Sequence, residues 1–380
     1  MEAIDAMTAL LEIPVAAKEK LDVSPNENVA AIGGMESDRR VRFEYSENLP
    51  SILADLNCSL LVSTYKTGNL VCIAGNHNRL TPSFHSFERP MGLAVNDNGI
   101  AVGAKSQIWF LRSAPEIAAR YQPLGRHDAS YLTRYSHFTG DIHGHEIAWA
   151  GKELWIVNTL FSCLCSLHPS YNFAPRWRPL FITALVPEDR CHLNGLAVAD
   201  GQPRFVSAMA ETNSRQGWRP VKNSGGCVID VPSGTTITRG LTMPHSPRIA
   251  NGKLFVLHSG LGRLETVEPS SGLREVVCEL PGYARGLAIH GSTAFIGLSK
   301  IRASSAWQGV PIAADPGRLK CGVWAVDLDS GKTVAQFEFT STVEELFDVQ
   351  VLAGVRSPLL SGPMAELDSG QPLWTMMPSK

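Results

Sequence analysis

A chain of 380 residues that is 44% hydrophobic and 18% charged can bury a large core, which excludes global disorder. Its 34 basic and 36 acidic residues leave a formal net charge of −2, so no overall field draws it to nucleic acid or to an anionic membrane. Any partner has to be recognised locally.

At the N-terminus, Glu2 and Asp5 precede the short apolar run Ala6–Leu11, unlike the basic start of a secretory signal, and the run is too short to span a bilayer. Met7–Leu21 is expected as a short helix and Ser24–Arg40 as a flexible or surface-packed lead-in. The expected division is therefore a lead-in at 1–42, one domain at 43–360 and a surface-lying tail at 361–380. Eight cysteines are scattered, mostly inside apolar runs, and read as buried thiols in a reducing compartment, with the cytoplasm as default. In a strand, Cys163 and Cys165 would share a face.

Beyond the lead-in, helix-period patterns are scarce and short β-rich runs bounded by Gly, Asn, Asp and Pro recur. A repeat is present. Its first strand appears as Met91–Val95, His145–Trp149, Asn194–Val198, His245–Ile249 and Arg285–Ile289, with starts 40 to 54 residues apart. Second strands follow at Gly99–Val102, Leu154–Val157, Arg204–Ser207, Lys253–Leu257 and Ala294–Ile296, and third strands end in turns such as Pro269–Gly272 and Asp327–Gly331. Such units are four-stranded blades of an all-β propeller. A sixth first strand at Leu346–Leu352 has no hairpin after it, whereas Ser59–Ser63, Leu70–Ala74 and Leu80–Phe87 have no first strand before them. Joining these pieces gives a single six-bladed propeller closed by pairing its two ends, which leaves no exposed sheet edge at the seam.

In a propeller the first strands line the central channel, so polar residues at their starts converge on one mouth. Those starts carry Asp141, His143, His145, Glu146, Asp189, His192, His245, Arg248, Arg285, Glu345 and Asp348, including four of the 11 histidines. His143, His145, His192 and His245 form a candidate set for a divalent metal ion. Glu146, His192, Glu345 and Asp348 are candidate acid or base groups, with Arg248 and Arg285 placed to hold an anion. Glu188-Asp189 reads more readily as a solvated loop than as a paired-carboxylate site, and Trp177, between Arg176 and Arg178, as a residue packed between blades rather than a nucleic-acid contact.

The runs His137–Trp149, Val157–Cys165, Arg176–Pro179, Pro187–Ala197, Met243–Arg248 and Gly297–Arg302 resemble a bacterial family of conserved hypothetical proteins, domain of unknown function 4915, over residues 43–360. That resemblance implies a cytoplasmic propeller and no particular reaction. The family pattern places an acidic residue after Lys-Ile-Arg, where this chain has Ala303. More distantly, the Asn-Gly-Leu-Ala strand starts are similar to those of lactonase, strictosidine synthase and streptogramin lyase propellers, which implies a channel holding a divalent metal or a catalytic carboxylate. Two functions follow as expectations. One is a metal-dependent hydrolase or lyase acting on a small or peptidic anionic substrate at the channel mouth. The other is a non-catalytic module that docks a peptide or protein through loops bearing Arg176, Trp177, Arg178, Trp218 and Trp307.

Overall fold

In the computed structural model, which describes residues 28–32, 39–301, 309–368 and 371–377, every predicted first strand becomes the inner strand of a sheet. Counting blades from the closure, the inner strands are Asp348–Ala353, Leu93–Asn96, Gly144–Ala150, Leu193–Ala199, Pro244–Ala250 and Tyr283–His290. Each packs on the inner strand of the next blade, and the sixth packs on the first. The protein is a six-bladed β-propeller. Apolar side chains fill the space between neighbouring blades, as where Ala94 and Phe110 of blade two meet Ile147 and Ile156 of blade three.

The closure is the expected one. Asp348–Ala353 runs antiparallel to Cys58–Ser63, with Asp348 opposite Ser63, and Asn69–Ile73 and Ser83–Ser86 complete blade one. Strands from the N-terminal and C-terminal parts of the propeller thus share one sheet and one core, in which Leu60, Val62 and Val71 pack with Val349.

Two segments read as loose are strands. Arg39–Tyr45 pairs with the outer strand of blade six, Phe43 facing Phe339, and Asn28–Ile32 pairs with Arg39–Tyr45 in turn. The alternation of exposed Arg40 and Arg42 with buried Val41 and Phe43 is the half-buried strand signature, so a domain boundary at residue 43 cuts through this strand. At the other end, Pro358–Ser361 adds a parallel strand outside blade two, Pro358 facing Ala129. Both additions cover outer sheet edges that would otherwise be open to pairing. The helix expected at Met7–Leu21 lies outside the described residues. All eight cysteines are unbridged and buried, with Cys163 and Cys165 in one core cluster as their shared face requires. Among the described residues no helix is long and apolar enough to cross a membrane.

The Gly-Leu-Ala repeat has a packing cause. At its second position the six blades carry, in order, Asp348, Gly92, Glu146, Gly195, Ser246 and Gly286. Polar residues and glycines alternate around the ring. A Cβ on Gly92 would stand 2.8 Å from the Ile147 nitrogen, one on Gly195 would collide with Pro247, and one on Gly286 would stand 2.7 Å from the Val349 nitrogen. Each glycine lets its strand approach the next blade, and the polar side chain there reaches on to the blade beyond. Asp348 Oδ2 accepts the Leu93 N–H at 2.8 Å, Glu146 Oε2 the Leu196 N–H at 3.1 Å, and Ser246 Oγ the Gly286 N–H at 3.2 Å. Gly286→Ala adds a clash to a backbone already at φ 82° and is expected to destabilise by about 2–4 kcal/mol in urea unfolding. A loss below about 0.5 kcal/mol would contradict this packing account.

Candidate functional site

Four of the six residues at the first position of the repeat line the channel mouth. In blade order that position holds Phe347, Met91, His145, Asn194, His245 and Arg285. Inner strands three to six lose register beside this position, between Gly144/Ile147, Leu193/Gly195, His245/Arg248 and Ala284/Leu287, and such bulges re-aim side chains. Phe347, Met91, His145 and Arg285 line a cavity of about 330 Å³, the small end of the range for small-molecule sites. Loop residues complete the wall.

Within it, Asp189 organises blade four. Its carboxylate accepts from His192 Nδ1 at 2.9 and 3.0 Å and from the Trp218 indole N–H at 3.1 Å, and His192 lies on Trp218 with ring centroids 4.3 Å apart. Because Nδ1–H donates to the carboxylate, neutral His192 carries its lone pair on Nε2. His145 has the same tautomer for a different reason. Arg285 can only donate, and its Nη2 lies 3.0 Å from His145 Nε2, so Nδ1–H donates to Thr159 Oγ1 at 2.9 Å and that hydroxyl donates to the Leu193 carbonyl. Burial, then the neighbouring His192 and Arg285, hold the His145 imidazole well below its ordinary value. It stays neutral.

Arg285 is the buried cation of the mouth. Its guanidinium carbon sits 3.4 Å above the Phe347 ring centroid, and Glu345 Oε1 accepts from Nη1 at 3.4 Å. Above it, Arg89 pairs with Asp141 at 2.7 Å, and half-exposed His143 lies 3.8 Å from the same carboxylate. Tyr65, Arg89, His143, Asp189, His192 and Gln216 all line the cavity with φ between 38° and 52°. Left-handed backbone in six non-glycine residues around one cavity is strain of the kind that collects at functional sites.

The other predicted residues lie deeper. Glu146, Arg248 and Asp348 do not line the cavity; they form a buried plug in the channel. Arg248 contacts Glu146 Oε1 directly, reaches Asp348 Oδ1 at 3.9 Å, and donates to the Pro247 carbonyl at 2.9 Å. One guanidinium serves two buried carboxylates, and burial pushes Glu146 up to about 7 and raises Asp348 as well. His245, 2% exposed, is also below the cavity, where its Nδ1–H is shared by the Met243 carbonyl and Ser259 Oγ. Of the candidate residues, the mouth brings together His143, His145, His192, Arg285 and Glu345. Sequence reasoning passed over Tyr65, Lys66 and Phe347, placed Asp189 at the blade starts without a role, and gave Trp218 only to a docking loop. Asp189 had a signal in its Asp-x-x-His spacing to His192, but the reading of Glu188-Asp189 as solvated fails because Asp189 is 6% exposed. Trp218, expected on a docking loop, is buried, and Trp177 packs between blades three and four as expected.

His145 is not placed to ligate a metal ion. Among the described residues no three His, Cys, Asp or Glu side chains are grouped as ligands, and the His145 Nε2 lone pair faces a guanidinium, which cannot share it with a second cation.

Fold and mouth together define a six-bladed propeller with an aromatic and basic channel site. Residues 47–360 match the family described as domain of unknown function (DUF4915). The chain belongs to that family. No curated protein matches it. Among solved structures, a chain of a nidogen/laminin complex is similar at 14% identity and a TM-score of 0.50, covering 78% of this chain and 99% of its own. A protein of unknown function from Bacteroides caccae is similar at 11% identity and 0.48, covering 77% and 98%. At 14% identity the likeness to the nidogen/laminin chain is one of fold alone.

Proposed function

We propose that the mouth binds and transforms a small molecule, with His192 as the group that moves a proton and Asp189 as the group that orients it, in an acid–base reaction of the hydrolase or lyase class. The observation that carries this reading is the Asp189–His192–Trp218 arrangement facing a cavity. An imidazole held by a buried carboxylate through Nδ1 is prepared to accept a proton at Nε2 and return it. Arg285 is near enough to stabilise negative charge developing on the substrate. The reading uses no metal ion, although His143, His145, His192 and His245 and the likeness to metal-bearing propellers both raised the expectation of one.

Of the docking-loop residues, Arg178 is exposed while Trp218, Trp177 and Arg176 are engaged within the fold. Trp218 is buried, Trp177 is packed, and Arg176 is held on Glu153 at 2.6 Å. Trp307 lies outside the described residues.

The test is turnover of a panel of carboxylic esters, lactones and β-elimination substrates by the protein and by His192→Gln. Turnover that persists in EDTA and falls about 10²–10⁴-fold in the variant is expected, with thermal stability little changed. Undiminished turnover by His192→Gln would remove His192 from the chemistry.

A further inference from the structure

The wall of the mouth is a continuous arc of rings. Tyr65 lies 5.4 Å from Phe347, Phe347 5.1 Å from His145, His145 4.8 Å from His192, and His192 4.3 Å from Trp218, all between ring centroids. Blades one, three and four contribute to it. Three of the rings carry a guanidinium: Arg89 at 5.9 Å from Tyr65, Arg285 at 3.4 Å from Phe347 and Arg219 at 4.8 Å from Trp218. Ring faces that would attract a cationic ligand are already engaged by cations.

The charges point the same way. Lining the cavity are the cations Lys66, Arg89, Arg219 and Arg285 and the carboxylates Asp141, Asp189 and Glu345. Every carboxylate has a polar partner in the wall: Asp141 has Arg89, Asp189 has His192 and Trp218, and Glu345 has Arg285. Among the described residues Lys66 and Arg219 form no ion pair, and both are exposed at the rim. Four side-chain cations against three carboxylates, the histidines left out of the count, leave one positive charge in excess.

We infer that the mouth selects a small planar carboxylate, an aromatic or conjugated acid whose ring lies along the arc and whose charge is read by Lys66 and Arg219. Planarity is set by the wall, because a flat π system makes ring-to-ring contact that a puckered aliphatic ring of similar volume does not. A rim guanidinium suits a carboxylate through two parallel N–H donors. This assignment rests on the mouth being a small-molecule site and is independent of whether His192 moves a proton.

The test uses four probes of similar size, benzoate, benzamide, cyclohexanecarboxylate and benzylammonium, titrated into the full chain by ligand-observed NMR. Benzoate is expected to bind most tightly, with each of the others at least about tenfold weaker. The double variant Lys66→Met/Arg219→Met, changed only at exposed rim positions, is expected to lose about tenfold in benzoate affinity while keeping the weak benzamide affinity and the thermal midpoint of the parent. Equal binding of benzamide and benzoate, tighter binding of benzylammonium, unchanged benzoate affinity in the double variant, or no binding by any probe would each overturn the assignment. Benzoate binding without turnover of any ester, lactone or elimination substrate would remove the catalytic reading and leave this one. Turnover of an uncharged aliphatic substrate without benzoate binding would do the reverse.

Discussion

Arg248→Met is expected to destabilise the propeller by about 3–5 kcal/mol near pH 8 and by much less near pH 5. Arg248 contacts Glu146 directly and reaches Asp348 at 3.9 Å, and both carboxyl groups are buried where water cannot replace a lost cation. In the parent, burial already raises both, Glu146 to about 7. A carboxyl group whose folded value lies above its unfolded one contributes stability that is fully present below the unfolded value and is lost as the pH rises through the folded value. Taking away the guanidinium moves both folded values further up, so the deficit of the variant grows with pH. Urea unfolding at the two pH values measures it. A deficit equal at both would mean that methionine costs packing rather than charge compensation. The companion variant Glu146→Gln leaves Arg248 with one carboxylate, and between about pH 4.5 and about 7 it is expected to lose less stability with rising pH than the parent.

This plug shows where reading from sequence stopped. The propeller, its six inner strands and the pairing of Leu346–Leu352 with Ser59–Phe87 were legible because the Gly-Leu-Ala repeat records a packing requirement at Gly92, Gly195 and Gly286, and because neither end of the chain completes a blade alone. Convergence of the blade starts was legible too. Depth was not. Glu146, Arg248 and Asp348 occupy the second and fourth positions of the repeat, whereas the cavity takes Phe347, Met91, His145 and Arg285 from the first and leaves His245 and Asn194 of that same position beneath it, so repeat position alone does not tell which ionisable group meets a ligand. The loop residues Tyr65, Arg89 and Trp218 were hidden for another reason. Tyr65 and Trp218 sit in loops joining strands of one blade and Arg89 in the loop between two blades, and nothing in local spacing records that a left-handed backbone turns Tyr65 and Arg89 into the cavity wall. Arg39–Tyr45 was overlooked although its alternation was plain, because its partner strand lies some 300 residues away.

Asp189→Asn carries the second large expected effect, a loss of about 10²–10⁴-fold in any turnover that depends on His192, with the fold retained. The Asp189 carboxylate offers only acceptors, to His192 Nδ1 at 2.9 Å and to the Trp218 indole N–H at 3.1 Å. Asparagine has one acceptor and one donor in the same space. Its carbonyl continues to serve Trp218, which can only donate, so its amide N–H turns toward His192 Nδ1 and requires a lone pair there. The proton then sits on Nε2, and the imidazole is in the wrong tautomer to take another. This substitution separates orientation from bulk: Asp189→Glu keeps an acceptor but moves it by one methylene, and is expected to retain more activity than the isosteric amide despite its worse fit. Nitrogen-15 NMR of labelled histidine reads the tautomer directly. Turnover that survives Asp189→Asn while the spectrum shows the proton moved to Nε2 would leave the dyad as a support for Trp218 and assign the chemistry of the mouth to another group.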